Sequence, residues 1–226
     1  MKFEYIFPSA ENGKDESVLT VRNGGVLGIL APSGSGKTLL MKSFAGFERP
    51  LAGKVLFDGC PITDRNRSRV SFVPDLDFYD VGERVGSIVR LFSSLFIDFD
   101  ADRAYEMLFR YGVSTADRIS ALTESDRQIL RLVLGSCRRA DVYVLDEPLR
   151  NFDTDRRNEA VGEIFSDKRD FSVIVATSRP NGTERVFDDV CFLSEGMPRL
   201  ISDVATLIST LGKSLSEIFS EVYGCS

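Results

Sequence analysis

Between a short apolar run and a helical stretch the chain reads Ala31-Pro32-Ser33-Gly34-Ser35-Gly36-Lys37-Thr38. Gly34 and Gly36 let backbone N–H groups close around an anion, and the helix that follows adds the positive end of its dipole. Lys37 carries a charge suited to the β- and γ-phosphates of a nucleotide, and the Thr38 hydroxyl suits Mg2+. This is the pattern of a Walker A loop rather than an ordinary glycine turn. Ser33, Gly34, Ser35, Gly36, Lys37, Thr38 and Leu39 are its expected nucleotide contacts. Ala31 stands where the first glycine is usual, so the strand end must accommodate a methyl group.

A second apolar run, Val142-Tyr143-Val144-Leu145, ends in Asp146-Glu147-Pro148. Two adjacent carboxylates at a strand end form the matching Walker B half. Asp146 is expected to hold Mg2+, directly or through water, and Glu147 to act as general base on the attacking water. Lys37 is then the main charge stabiliser.

The elements that must position these residues follow from hydrophobic patterning. Val26–Leu30 reads as a buried strand, and Gly53-Lys54-Val55-Leu56-Phe57-Asp58-Gly59 as a strand ending in an Asp-Gly turn. Val70–Val73 is a short strand stopped by Pro74. From about Val81 to Gly135 the pattern turns helical, with Ala104, Met107, Leu108 and Tyr111 on one face. Strands return at Val142–Leu145 and Ser172–Ala176, with another at Val190–Leu193. Strands, an inserted helical block, then alternating strand and helix predict an α/β fold with a mainly parallel sheet.

Composition narrows the chemistry further. The 226 residues suffice for one sizeable core, and a net charge of −6 argues against broad nucleic-acid binding. Histidine is absent, which removes Ser-His and Cys-His catalysis and histidine metal sites together. Cys60, Cys137, Cys191 and Cys225 lack metal-ligand spacing and read as reduced thiols of a cytosolic protein. The start, Met1-Lys2-Phe3-Glu4-Tyr5, has no apolar core of a secretory signal. The best spanning candidate, Val85 to Phe99, is interrupted by Arg90, Ser93, Ser94 and Asp98. Any membrane process would need a spanning partner chain.

At this point the chain resembles the ABC transporter ATPase family, of the type paired with a separately encoded permease. The likeness runs over nearly the whole length. Pro50-x-x-Gly53-x-Val55-x-x-Asp58-Gly59 matches the family segment after the P-loop helix, and Val70-Ser71-Phe72-Val73-Pro74 the strand before its Q-loop. Leu145-Asp146-Glu147-Pro148 with Phe152-Asp153 matches Walker B and the D-loop, and Ser214–Phe219 the closing helix. Leu207, Leu211, Leu215 and Ile218 have the spacing of one amphipathic helix there. The resemblance implies a single domain over 1–226: a P-loop NTPase with a RecA-like core, an antiparallel β lobe and an inserted helical lobe at about 76–135. It implies ATP and Mg2+ as cofactors, and ATP hydrolysis coupled to transport. It also implies a transmembrane permease subunit and a second ATPase subunit as partners, with the chain peripheral on the cytoplasmic face of the membrane. An aromatic upstream of the P-loop is expected to stack on adenine; Phe7 has the nearest spacing, with Tyr5 and Phe3 as rivals, although their alternation also describes a strand face.

Several positions depart from the family. The signature stretch is Leu122-Thr123-Glu124-Ser125-Asp126, where the family carries Leu-Ser-Gly-Gly-Gln. Thr123 and Asp126 read as a helix N-cap. A carboxylate about 4 Å from a phosphate charge is unfavourable by roughly 1 kcal/mol in water and by several at an effective dielectric near 20. Glu124 and Asp126 therefore either weaken the signature or turn away from it. Asp75 occupies the Q-loop position, where it keeps the ability to meet Mg2+ through water. Ser178 stands in place of the switch histidine as a γ-phosphate hydrogen-bonding group, and Arg150 in place of a small D-loop residue. The combination predicts a slow or asymmetric ATPase. Its alternatives are a nucleotide-gated binding module with little hydrolysis, or a soluble ABC ATPase outside transport.

Overall fold

A computed structural model describes residues 2–8, 16–148, 150, 171–181 and 185–224. The expected Walker B segment falls within them up to Pro148, whereas Phe152, Asp153 and Cys225 lie outside.

Two sheets carry the fold. The larger has strand order β10-β9-β3-β8-β7-β6. It comprises β3 (Val26–Leu30), β6 (Val70–Val73), β7 (Val142–Asp146), β8 (Ser172–Thr177), β9 (Asp189–Ser194) and β10 (Met197–Asp203). From β6 to β9 every neighbouring pair is parallel, and only β10 runs antiparallel. The central strands β3, β7 and β8 are buried along their whole length, as apolar runs in a sheet covered on both faces must be. The smaller sheet is antiparallel, in the order β2-β1-β4-β5. It comprises β1 (Phe3–Pro8), β2 (Glu16–Val21), β4 (Lys54–Phe57) and β5 (Cys60–Pro61). Asp58 and Gly59 both take positive φ at the β4–β5 turn, the geometry of a tight hairpin.

Among the described residues, three cores divide the apolar side chains. Helix α1 (Lys37–Phe44) packs between the sheets, where Phe44 meets the rings of Phe3 and Tyr5 edge-on. The opposite face of the larger sheet is covered by α5 (Val204–Leu211) and α6 (Leu215–Tyr223). The inserted helices α2 (Val85–Leu95), α3 (Ala101–Arg110) and α4 (Glu124–Ser136) have a core of their own, in which Ala104, Met107 and Leu108 face Ile129, Leu130 and Val133. The observed architecture is the expected α/β one, with an antiparallel lobe and a helical insertion.

The C-terminal region differs from the single amphipathic helix that its apolar spacing suggests. Helix α5 stops at Gly212, and Ser214 starts α6 with a full capping box to Glu217. Stop and start signals two residues apart outweigh continuous periodicity. Leu211 is consequently exposed rather than packed on the core. Among the described residues, no helix is long and apolar enough to cross a membrane.

Candidate nucleotide site

The larger sheet places the ends of β3 and β7 side by side with β8 between them. The loop after β3 turns into α1 through Gly34 and Gly36, both at positive φ. Gly36 is the N-cap of α1 and supplies no side-chain cap, so the first helical N–H groups remain available to an anion. A Cβ built on Gly34 would meet nothing within 4 Å, consistent with a loop face left open on the cleft side. Gly36, in contrast, abuts Gly196: a Cβ there would lie 3.2 Å from the Gly196 Cα. The Gly196 N–H also donates to the Ser35 carbonyl at 2.9 Å, so the β9–β10 turn braces the loop. Nothing in the linear sequence points to Gly196. Ala31 is fully buried and its N–H reaches the Thr177 carbonyl at 3.3 Å, so the strand end accepts the methyl group.

The charged groups converge as the two motifs require. Lys37 is almost completely buried, and its Nζ donates to the carbonyls of Ala31 at 2.7 Å and Pro32 at 2.9 Å. The Thr38 hydroxyl donates to Asp146 Oδ2 at 2.7 Å. Asp146 Oδ1 is buried without a hydrogen-bond partner. Burial pushes the Asp146 carboxyl up to about 6; the Thr38 hydrogen bond opposes this, and the charges of Asp75 and Glu147 add to it. A dication beside Thr38 and Asp146 would satisfy the orphaned oxygen and reverse that balance. Among the described residues no three acidic or thiol side chains are placed to hold one metal ion by themselves. A pair of protein oxygens completed by phosphates and water is the usual demand of Mg2+, so the residues present fit it.

Glu147 takes φ +48°, an uncommon value for a non-glycine residue, at the point where β7 ends. Its N–H continues the ladder to the Ala176 carbonyl, and its own carbonyl accepts from the buried Gln128 amide at 3.3 Å. The Ser178 backbone N–H donates to Glu147 Oε2 at 3.1 Å. Oε1 has no hydrogen-bond partner and lies 3.3 Å from Lys37 Nζ and 3.4 Å from Arg150 Nη2. The switch position therefore meets Glu147 through a main-chain amide, an interaction that any non-proline residue at 178 can supply. Arg150 also binds Asp75, with Nη1 at 2.7 Å from Oδ2. Burial raises the Asp75 carboxyl; Arg150 pulls it back and Glu147 adds to the rise. A cavity of about 320 Å3 is lined by Ser33, Gly34, Gly36, Lys37, Thr38, Glu147 and Arg150. It joins the two motifs into one phosphate-sized cleft. Leu39, in the first turn of α1, is partly buried.

One sequence expectation is revised, and one alternative that the sequence left open is decided for Glu124. The Phe7 ring is only 5 % exposed and lies against Tyr5 with ring centroids 5.2 Å apart, while Tyr5 and Phe3 are still more deeply buried. All three aromatics serve the core of the smaller sheet, where β1 is central, and Phe7 presents no exposed face for adenine. At the signature position, Thr123 caps α4 as expected, accepting from the Asp126 N–H at 3.1 Å. Of the two acidic side chains, Glu124 is drawn to arginines, whereas Asp126 stays at the helix start. Asp126 accepts the Thr123 hydroxyl, and Glu124 reaches Arg131 at 3.0 Å and Arg127 at 3.1 Å. Arg131, buried at 1 % exposure, also bonds Asp77 at 2.5 Å and Gln128 at 2.9 Å. This arginine was not singled out from the sequence, although Glu124, Gln128 and Arg131 share one helix face at i, i+4 and i+7.

Known proteins resemble this chain in sequence and fold. The ATP-binding protein YtrB of Bacillus subtilis (strain 168) is 26% identical over 202 residues, covering 86% of this chain and 68% of that protein. The thiamine import ATP-binding protein ThiQ of Chelativorans sp. (strain BNC1) is 27% identical over 206 residues, covering 87% and 78%. A solved ATP-binding subunit of an ABC transporter superposes with a TM-score of 0.82 at 17% identity, covering 99% of this chain and all of that one, which establishes the fold. The family model described as ABC transporter matches residues 15–150, more than half of the chain. The chain thus belongs to the ABC transporter family, as one of its ATP-binding, ATP-hydrolysing subunits.

Proposed function

We propose that this subunit holds Mg-ATP in the cleft between the P-loop and the end of β7, and passes the energy of hydrolysis to a separate membrane permease as one of two ATPase subunits. The observation that carries the reading is the Thr38–Asp146 hydrogen bond, with an orphaned Asp146 oxygen beside the Lys37–Glu147 pair. The loop amides at the start of α1 bind the β- and γ-phosphates. Lys37 leaves the Ala31 and Pro32 carbonyls to neutralise charge that develops on the γ-phosphoryl oxygens. Thr38 and Asp146 hold Mg2+, which supplies charge neutralisation across the phosphates. Glu147, fixed at Oε2 by the Ser178 amide, offers Oε1 to the attacking water and takes its proton. Asp75 joins this arrangement through Arg150.

A second region supports the permease as partner. A groove of about 840 Å3 runs between the larger sheet and the helical lobe, and its walls include Phe47, Phe72, Phe78, Phe92, Phe96 and Arg138. Phe47 and Phe78 are exposed there. A short apolar segment from the cytoplasmic side of a permease would bury these rings and meet both lobes at once, so movement of the nucleotide site would be felt across the membrane.

Two measurements test the proposal. Phosphate release should fall about 100-fold or more in Glu147→Gln, with ATP affinity held within a few-fold. Equal turnover in both proteins would remove Glu147 from its role. A charged substitution in the groove, Phe72→Glu, should abolish stimulation of turnover by the reconstituted permease; stimulation that persists would refute docking there. The altered signature motivates slow turnover of the chain paired with itself. A self-paired subunit running at the rate of the permease complex would refute that part.

A further inference from the structure

Three carboxylates, Asp75, Asp146 and Glu147, lie at one end of the larger sheet. Among the described residues Lys37 and Arg150 pair with Glu147 and Arg150 with Asp75, while the Arg131 charge acts on Asp75 from farther away. Lys37 has phosphate to serve once nucleotide is bound, which leaves Arg150 as the cation still available to Glu147. The Ser178 amide ties down only Glu147 Oε2, so the carboxylate plane stays free to turn about that contact. Arg150 restrains the other oxygen from 3.4 Å, and Asp75 holds the guanidinium in place from 2.7 Å. The guanidinium is planar and presents separate N–H edges to the two carboxylates, a bridging geometry that an ammonium reproduces poorly.

We propose that Arg150 is a positioning residue for Glu147, with Asp75 as its anchor. The inference rests on Glu147 being the base. It gives positions 75 and 150, which depart from the family together, a single shared function: an ion pair that orients the carboxylate from the side opposite Ser178.

The test compares Arg150→Ala, Asp75→Asn, the double variant and Arg150→Lys with the parent subunit. Arg150→Ala should lower kcat for ATP hydrolysis about tenfold or more, since small misplacements of a catalytic group are expensive in rate. The Kd of a fluorescent ATP analogue should change less than about threefold, because the P-loop contacts are untouched. Asp75→Asn should give a smaller fall in kcat and add nothing in the Arg150→Ala background, while Arg150→Lys regains part of the loss. Urea unfolding of the nucleotide-free proteins should show the same non-additivity, independently of turnover. A loss confined to KM, or losses that multiply in the double variant, would overturn the proposal. Glu147→Gln serves as the control: if it hydrolyses at the parent rate, the base assignment itself fails. If Glu147→Gln is inactive but Arg150→Ala is not impaired, only the positioning role is refuted.

Discussion

Replacing Arg131 with methionine should destabilise the folded subunit by about 3 kcal/mol, which follows from what each partner loses. Methionine keeps most of the aliphatic stem, so apolar packing changes little and the loss is electrostatic. Glu124 is half exposed and still has Arg127 at 3.1 Å, so its share is small. Asp77 is different. Its side chain is 18% exposed, its 2.5 Å partner disappears, and Arg127 remains only at 3.9 Å. Gln128, fully buried, loses the donor to its Oε1. Breaking a fully buried ion pair costs about 3–5 kcal/mol, and the residual Arg127 contact places this case at the lower end. Urea denaturation of Arg131→Met supplies the number. Adding Asp77→Asn should recover about 1 kcal/mol or more, because it removes the under-compensated charge. An Arg131→Met stability within about 0.5 kcal/mol of the parent, or a deeper loss on adding Asp77→Asn, would show that Arg131 does not compensate the Asp77 charge.

Further outcomes follow from single residues. Asp146 has a folded-state pKa raised to about 6 against about 4 in the unfolded chain, so its contribution is fully present below pH ~4 and is lost as pH rises through ~6. In metal- and nucleotide-free urea titrations, Asp146→Asn should therefore gain stability relative to the parent between pH 4.5 and 7.5; a constant difference would contradict the burial argument. Gly53 has φ +79°, and a Cβ there would lie 1.9 Å from the Ile6 carbonyl oxygen, so Gly53→Ala should cost about 3 kcal/mol or more in thermal or urea unfolding. A near-neutral variant would show that β1 can move. Cys191 is fully buried, and burial pushes its thiol up to about 12, whereas Cys60 is exposed. At pH 8, maleimide mapping by mass spectrometry should label Cys60 and leave Cys191 untouched until denaturant is added. Rapid native labelling of Cys191 would refute its burial.

Much of the site was legible in the linear sequence because its motifs are local. The spacing Gly34-x-Gly36-Lys37-Thr38 dictates a loop that turns into a helix within a few residues. An apolar strand that ends in Asp146-Glu147 carries its own address, since a fully apolar run marks a buried strand and the carboxylates mark its C-terminal end. The α/β order was likewise readable, since strand and helix periodicities differ, whereas the antiparallel lobe followed only from the family resemblance. Side-chain direction was not readable. The aromatics Phe3, Tyr5 and Phe7 could not be divided between ligand and core, because β1 is central in its sheet only after β2 and β4 pair with it. The charges at the signature position looked like an obstacle to phosphate until α4 placed Arg131 and Arg127 within reach of Glu124. The Arg150 bridge joins positions 75 residues apart in the chain, and the Gly196 brace on the P-loop spans 161. Sequence by itself determined which groups are the candidates for the chemistry, since residue type and short spacing set what suits phosphate and metal. Tertiary structure alone decided which charge answers which, because an ion pair depends on a few ångströms of separation that only the packed sheets and helices define.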